Sequence, residues 1–221
     1  EKREDQFDRM RLGQKTALNL ANWHHFLSAL TLAGYRGEKM ISSETVLIYS
    51  YVLYLIGIED FAVPRDVMRQ VIAEFYFMAA LTGRYSFSPE SRFDSDLAAV
   101  RDLATTEEYL TKLREIMALA LTDDYWTINL PNQLATSASQ SPSLFAYNAS
   151  LIRLDAVALY SPFKIAALVD PAINGSKAVL ERHHLFPRGY LEEIGQKDIK
   201  QVNQIANFAA VEWPQNIKIG K

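Results

Sequence analysis

Residues 181–187 read Glu-Arg-His-His-Leu-Phe-Pro and are the most informative stretch of the 221-residue chain. Neighbouring side chains on a β-strand point to opposite faces of the sheet. If the stretch lies on a strand of a β-hairpin, His183 and His184 therefore have different neighbours and different tasks. One histidine can face a metal ion, while the other faces a water molecule or a structural partner.

Asparagines follow the two histidines at set distances. Asn207 lies 23 residues after His184, and Asn216 lies nine residues after Asn207. Hydrolysis of a phosphodiester requires a base that activates water and a cation that stabilises charge on the phosphoryl oxygens. Two adjacent histidines, a proline and spaced asparagines are the side chains that a small metal-dependent phosphodiesterase needs. The pattern therefore indicates a hydrolytic site near the end of the chain.

This pattern resembles that of the HNH, or His-Me finger, nucleases. Their ββα-metal motif reads Asp-His-hydrophobic-x-Pro, followed by an asparagine and then by a third ligand at a similar spacing. The resemblance implies that His183 stands at the place of the acidic metal ligand and that His184 is the general base. It also implies that Asn207 serves catalysis by fixing the hairpin and that Asn216 is the last metal ligand.

Two longer strings resemble a narrower group of proteins. Residues 181–191 (ERHHLFPRGYL) and 203–219 (NQIANFAAVEWPQNIKI) are similar to the C-terminal nuclease region of GmrSD-type modification-dependent restriction enzymes. The segment from Thr82 to Leu97, TGRYSFSPES…DL, is similar to the part of those proteins before the nuclease. The resemblance implies DNA as the partner, a role in restriction or anti-phage defence, and an N-terminal nucleotide-hydrolysing domain that this chain lacks. We expect the chain to be a piece of a longer protein, cut at both ends.

The residues around the histidine pair bear on the metal and the substrate. Arg182 and Arg188 flank the pair and are predicted to hold substrate phosphates. Oxygen ligands favour Mg²⁺ or Mn²⁺, which we expect, whereas the imidazole of His183 leaves Zn²⁺ or Ni²⁺ as alternatives. Neither His183 nor Asn216 brings a negative charge, so we expect weak metal binding. No cofactor other than the metal is expected.

A non-enzymatic alternative stays open at this point. A bare histidine pair is more often a surface feature of a hairpin than a catalytic pair. The chain would then be a helical DNA-recognition or protein-interaction module that carries a degenerate nuclease finger. Metal binding that disappears on His183→Ala would favour the enzyme over this module.

The predicted fold is mainly α, with two domains. A helical domain occupies residues 1–172, and a small ββα-metal module, truncated at its C-terminus, occupies residues 173–221. The boundary lies at the turn signal Ile173-Asn174-Gly175. Within the module, residues 177–180 predict a strand that leads into the histidine pair. Residues 188–194 predict a short helix that ends at Gly195, and residues 208–211 predict a second strand.

Helix signals recur through the first 160 residues. Apolar residues at steps of three and four form a stripe that includes Phe7, Met10, Ala17, Leu18, Ala21, Leu27 and Leu30 and ends before Gly34. Six further helices are predicted. The first starts at Ser42 or Ser43 and ends near Gly57, the second runs from Pro64 to Gly83, and the third starts at Ser88-Pro89. The fourth covers 107–121 and follows a Thr105–Glu108 capping box, the fifth starts near Asp123-Asp124, and the sixth covers 144–159.

Composition limits the class of protein. The chain has no cysteine, which excludes a disulfide framework, a cysteine zinc site and a thiol nucleophile, and fits a reducing, cytoplasmic compartment. The net charge of −3 argues against a general DNA-coating protein, although residues 176–221 have seven Lys/Arg against five Asp/Glu. The apolar run Val46 to Ile58 spans 13 residues. A membrane span needs about twenty, so we expect a buried helix and no membrane partner.

Three other groups of residues have simpler interpretations. His24 and His25 lie in a helical pattern, where adjacent side chains diverge by about 100° and cannot chelate one ion together. Residues 74–77, Glu-Phe-Tyr-Phe, have the spacing of a helical core more than that of a base-stacking surface. Arg84, Tyr85 and Arg92 could form a DNA-contacting loop, and a solvated loop is the simpler interpretation.

Overall fold

The computed structural model describes residues 2–135, 138, 140–170 and 179–219. The chain divides into two compact units. The first unit contains Glu1–Ala33 and Ser43–Ala120, and the second contains Gly34–Ser42 and Leu121–Lys221. Over the described residues the fold is mainly helical, with a two-stranded antiparallel sheet near the C-terminus. The predicted mainly α class is therefore confirmed.

The first unit is built from six helices among its described residues. They are α1 (Lys2–Ala17), α2 (Leu20–Leu32), α3 (Glu44–Glu59), α4 (Arg65–Thr82), α5 (Pro89–Arg101) and α6 (Thr106–Ala120). Local sequence signals fix several of their ends. The Ser43 side chain accepts a hydrogen bond from the Val46 N–H, Pro64 is the N-cap of α4, and Gly83 ends α4 in the left-handed conformation with φ 62°.

Helix α4 forms the centre of the first unit and packs on α2, α3 and α6. Its buried side chains include Met68, Ile72, Phe75 and Tyr76, so residues 74–77 lie on a core helix, as predicted. Helix α3 contains the apolar run 46–58. No helix in the part of the chain that the structure describes is long and apolar enough to cross a membrane.

The predicted stripe of apolar residues over 7–30 was wrong in two respects: the helix is not continuous, and several residues of the stripe are exposed. Helix α1 ends at Ala17, and Asn19 starts α2 by accepting a hydrogen bond from the Ala21 N–H at 2.9 Å. The break changes the register of the apolar positions between the two helices. Phe7 and Met10 are exposed together with every other residue from Arg3 to Lys15, and Leu18 and Leu27 are exposed as well. Helix α2 buries Leu30, which belongs to the predicted stripe, and also Asn22, Phe26 and Ala29, which do not.

The second unit contains shorter elements. Its described helices and strands are a 3₁₀ turn (Glu38–Met40), a π-helical turn (Tyr125–Asn129), α7 (Leu130–Leu134), α8 (Pro142–Arg153), α9 (Ile165–Leu168), β1 (Leu180–His184), α10 (Arg188–Glu193), α11 (Ile199–Val202), a second 3₁₀ turn (Ile205–Asn207), β2 (Phe208–Glu212) and α12 (Trp213–Ile219). Helix α8 ends earlier than predicted, because Asp155 adopts a left-handed conformation with φ 54° soon after Arg153. Strand β1 contains the histidine pair rather than leading into it.

The core of the second unit joins helices to the C-terminal hairpin. Ile152, Ala158, Ile165 and Leu168 form a buried cluster, and partly buried residues that include Leu180 and Ala210 pack against it. Residues before and after the predicted 172/173 boundary pack in one core, and the second compact unit contains both. The predicted turn at 173–175 lies outside the described residues.

Candidate active site on the C-terminal hairpin

Strands β1 and β2 form an antiparallel pair that sets the direction of every candidate side chain. Arg182 lies opposite Ala210, His183 opposite Ala209, and His184 opposite Phe208. Because side chains alternate along a strand, Glu181 and His183 share one face of the hairpin. Arg182 and His184 share the other face. We name these the His183 face and the His184 face.

The His183 face brings together the two predicted metal ligands. The Nδ1 atom of His183 lies 2.7 Å from the Oδ1 atom of Asn216, which α12 supplies. The Nδ2 atom of Asn216 donates a hydrogen bond to the Oε2 atom of Glu181 at 2.5 Å. All three side chains are half-buried. Sequence analysis assigned no role to Glu181, although the two-residue period of a strand places it beside His183.

His184 has separate neighbours on its own face. Its Nε2 atom lies 2.8 Å from the Oδ1 atom of Asn203, and its ring packs at a tilt on Phe208 with 4.4 Å between centroids. The two histidines thus have different partners, as the strand pattern predicts. The structure does not bring His184 to the His183–Asn216 pair, and Asn203 is a partner to which sequence analysis gave no task.

Asn207 makes the bonds that a bracing residue requires. Its Oδ1 atom accepts from the Phe186 N–H at 2.9 Å, and its Nδ2 atom donates to the carbonyls of Phe186 at 3.1 Å and Val202 at 2.8 Å. Its backbone carbonyl accepts from the Leu185 N–H at 2.9 Å. Asn207 is only 9% exposed, so the hydrogen bonds of its amide group are largely shielded from solvent. These bonds fasten the end of β1 to the start of β2.

The two arginines predicted to bind phosphate have partners other than the His183–Asn216 pair. Arg182 lies on the His184 face, with its guanidinium carbon 5.2 Å from the centroid of the Phe208 ring. Arg188 forms an exposed ion pair with Glu192 at 2.7 Å. An exposed pair of this kind is weak, so a phosphate could displace Glu192 from Arg188.

The donor set on the His183 face decides which metal it suits. The described residues contain no group of three or more His, Cys, Asp or Glu side chains that could hold a metal ion. One imidazole, one amide and one carboxylate remain, which is too few for a closed zinc site. Mg²⁺ and Mn²⁺ commonly retain waters and take substrate phosphate oxygens as further ligands. The residues present therefore fit a cation of that kind better than a closed zinc centre.

The segment Thr82 to Leu97 has a structural explanation inside the first unit. Arg84 makes two bonds to Asp96, at 2.9 and 2.5 Å, and the Tyr85 hydroxyl donates to Asp96 at 2.6 Å. Tyr85 and Asp96 are buried, and burial, followed by the Asp96 charge, raises the pKa of Tyr85. Both the DNA-contact and the solvated-loop interpretations were therefore wrong for Arg84 and Tyr85. The exposed positions of His24 and His25 on α2 agree with ordinary helix-face histidines.

No protein-family model, curated protein or solved structure matches this chain.

Proposed function

We propose that this chain carries an HNH-type site for divalent-metal-dependent cleavage or nicking of DNA. The observation that supports the proposal best is the 2.7 Å contact between His183 and Asn216, which lie 33 residues apart. The resemblance implies that both residues are metal ligands, and strand β1 and helix α12, which follows β2, bring their side chains together.

In this proposal the His183 face holds the metal. His183 supplies a ring nitrogen as donor atom, Asn216 holds that ring through its Oδ1 atom, and Glu181 adds the negative charge that the motif has at position 183. The bound cation would stabilise negative charge on the scissile phosphate. Because Glu181 supplies a charge that sequence analysis did not count, metal binding need not be as weak as the uncharged pair alone predicts.

His184 acts as the general base in the same proposal. If Oδ1 of Asn203 is the acceptor, Nε2 of His184 donates, and Nδ1 keeps a lone pair that can take a proton from water. A base must lie within hydrogen-bond reach of the water that it activates. In the present arrangement Asn203 and Phe208 hold the ring on the opposite face from Asn216. Catalysis therefore requires one of two changes. Either the His184 ring leaves Asn203, or the substrate extends to the His184 face of the hairpin.

The biological setting of the proposal comes from the resemblance alone. A restriction or anti-phage role, the recognition of modified DNA and an N-terminal nucleotide-hydrolysing partner domain all belong to this part of the proposal. The placement of His184 favours a second candidate function, a helical DNA-recognition or protein-interaction module with a degenerate finger. The two candidates differ in whether the chain hydrolyses a phosphodiester.

Nicking of supercoiled plasmid in the presence of Mg²⁺ or Mn²⁺ separates the two candidates. We expect the parent to nick, His183→Ala to lose nicking, and His184→Ala to be slower by about 10²–10⁴-fold, the usual contribution of a general base. His24→Ala is the matched control, since His24 is an exposed histidine on α2. A parent that leaves plasmid intact with both metals, or a His184→Ala variant as fast as the parent, contradicts the nuclease.

A further inference from the structure

Glu181 and His183 are linked through one side chain on the His183 face. The Asn216 amide contacts His183 through its oxygen at 2.7 Å and Glu181 through its nitrogen at 2.5 Å. The motif assigns no task to Glu181, and the proposed function uses only its negative charge. Glu181 also forms no ion pair with any residue that the structure describes.

The chemistry of the three groups fixes the direction of both hydrogen bonds. A carboxylate can only accept, so Asn216 must turn its NH₂ group toward Glu181. The amide oxygen then has to face His183, and the usual ambiguity between the oxygen and nitrogen of an asparagine is removed. Because that oxygen can only accept, the Nδ1 atom of His183 must carry the proton. A neutral His183 consequently keeps its lone pair on Nε2.

We propose that Glu181 is a positioning residue that acts through Asn216 to hold His183 in its Nδ1–H tautomer. Nε2 is then the atom that His183 presents to a metal, and it has no hydrogen bond to a described residue. Asn216, whose oxygen accepts from Nδ1–H, therefore supports the His183 ring and does not bind the same ion. Metal-binding histidines commonly donate the other ring N–H to a carboxylate or a carbonyl, which fixes the ring and the tautomer. Here an amide stands between the carboxylate and the imidazole. The metal part of this inference rests on the proposed function, and the tautomer part does not.

The tautomer can be measured in the metal-free protein. Long-range ¹H–¹⁵N NMR spectra at pH 8, above the ordinary histidine pKa of about 6.5, report which ring nitrogen carries the proton, and His183→Gln identifies the signals. We expect the Nδ1–H form in the parent. Glu181→Lys replaces the acceptor by a donor, which turns the Asn216 oxygen away from His183 and converts His183 to the Nε2–H form. Glu181→Gln, whose amide can present either atom, should give both tautomers.

Glu212→Lys is the matched control. Glu212 is the last residue of β2, and it pairs with Leu180, so it lies on the His184 face and not on the His183 face. This control should keep the parental Nδ1–H form. A parent in the Nε2–H form, or a tautomer that is the same in the parent and Glu181→Lys, overturns the positioning role. If Glu181→Lys misfolds and its ring signals are lost, Glu181→Gln is the deciding variant. A single Nδ1–H tautomer in Glu181→Gln also overturns the positioning role.

Calorimetric titration with Mn²⁺ tests the metal part separately. Loss of partners of this kind typically lowers metal affinity by about 10–100-fold, and we expect a fall in that range for Glu181→Gln, with no change for Glu212→Gln. Equal Mn²⁺ affinity in the parent and Glu181→Gln contradicts the link to the metal. If the parent takes up no Mn²⁺ but the tautomer still follows residue 181, the positioning role stands and the proposed nuclease function fails.

Discussion

At the scale of single residues, each of the two units contains a buried polar side chain that is held by several hydrogen bonds. Asn207 satisfies both ends of its amide group on backbone atoms of Phe186 and Val202 while it is nearly buried. Asp96 likewise takes three bonds from Arg84 and Tyr85 at 2% exposure. Such groups cost little while they are paired and much when one partner is removed, because the remaining groups stay buried without hydrogen bonds.

Replacement of Asn207 should damage both the fold and the site. Asn207→Ala leaves the Phe186 N–H and the Val202 carbonyl without their partner, so the free energy of unfolding should fall by about 1–3 kcal/mol. Thermal melts measure the effect, and plasmid nicking should fall in parallel. Asn132→Ala, the same change at an exposed position of α7, is the control. Equal melting temperatures for Asn207→Ala and the parent would show that the amide does not brace the hairpin.

Replacement of Asp96 should destabilise the first unit. Asp96→Ala leaves the guanidinium of Arg84, whose side chain is 12% exposed, without its carboxylate. Removing one partner of a buried ion pair typically costs about 3–5 kcal/mol, and urea unfolding should show a loss of that size. Asp94→Ala provides the comparison, because Asp94 is an exposed aspartate on the same helix. If the two variants unfold at the same urea concentration, the Arg84–Asp96 pair contributes nothing to stability.

At the scale of elements, the sequence predicts helix ends better than helix faces. Ser43, Gly83 and the Thr105–Glu108 pair act through bonds to backbone atoms within a few residues, so their patterns are visible locally. The break at Asn19 was missed, since the stripe of apolar residues continues across it. Which apolar residues are buried depends on packing by distant helices, and a periodic pattern does not contain that information.

The capping box of α6 predicts a dependence of stability on pH. The Glu108 carboxylate accepts bonds from the N–H groups of Ala104 and Thr105, which lower its pKa below the ordinary value of 4.5. A lowered pKa in the folded state means that the stabilisation is present above about pH 4.5 and is lost as pH falls through the folded pKa. The melting temperature of Glu108→Gln should therefore lie below that of the parent at pH 7 and approach it in acid. Glu107→Gln, on the same turn, should show no such convergence.

At the scale of the whole molecule, the two compact units are assembled from separated segments. Residues 34–42 belong to the second unit, although residues 1–33 and 43–120 on either side belong to the first. A boundary read from turn signals follows chain order, whereas the core around Ile165 joins α8 and α9 to the hairpin. The sequence therefore predicts the class of fold and not the division into units, because the division depends on contacts between distant segments.

The candidate site shows the same limit of sequence analysis. The resemblance assigns His183 and Asn216 to one metal site, and the structure brings these two side chains within 2.7 Å of each other. Their role as metal ligands stays a prediction. The role of Glu181 depends on the bond from Asn216, which no spacing rule indicates. The position of Arg182, by contrast, follows from strand alternation alone. Adjacent residues of a strand lie on opposite faces, and the structure places Arg182 on the face opposite His183.

Titration of the protein with Mn²⁺, followed by NMR, tests most directly whether the His183 face is a metal site. Paramagnetic Mn²⁺ broadens the signals of nuclei close to it, so substoichiometric amounts should first remove the signals of Glu181, His183 and Asn216. The signals of His24 and His25, exposed histidines on α2, should persist. Broadening that begins at other residues, or that appears uniformly across the spectrum, would contradict a metal site on this face.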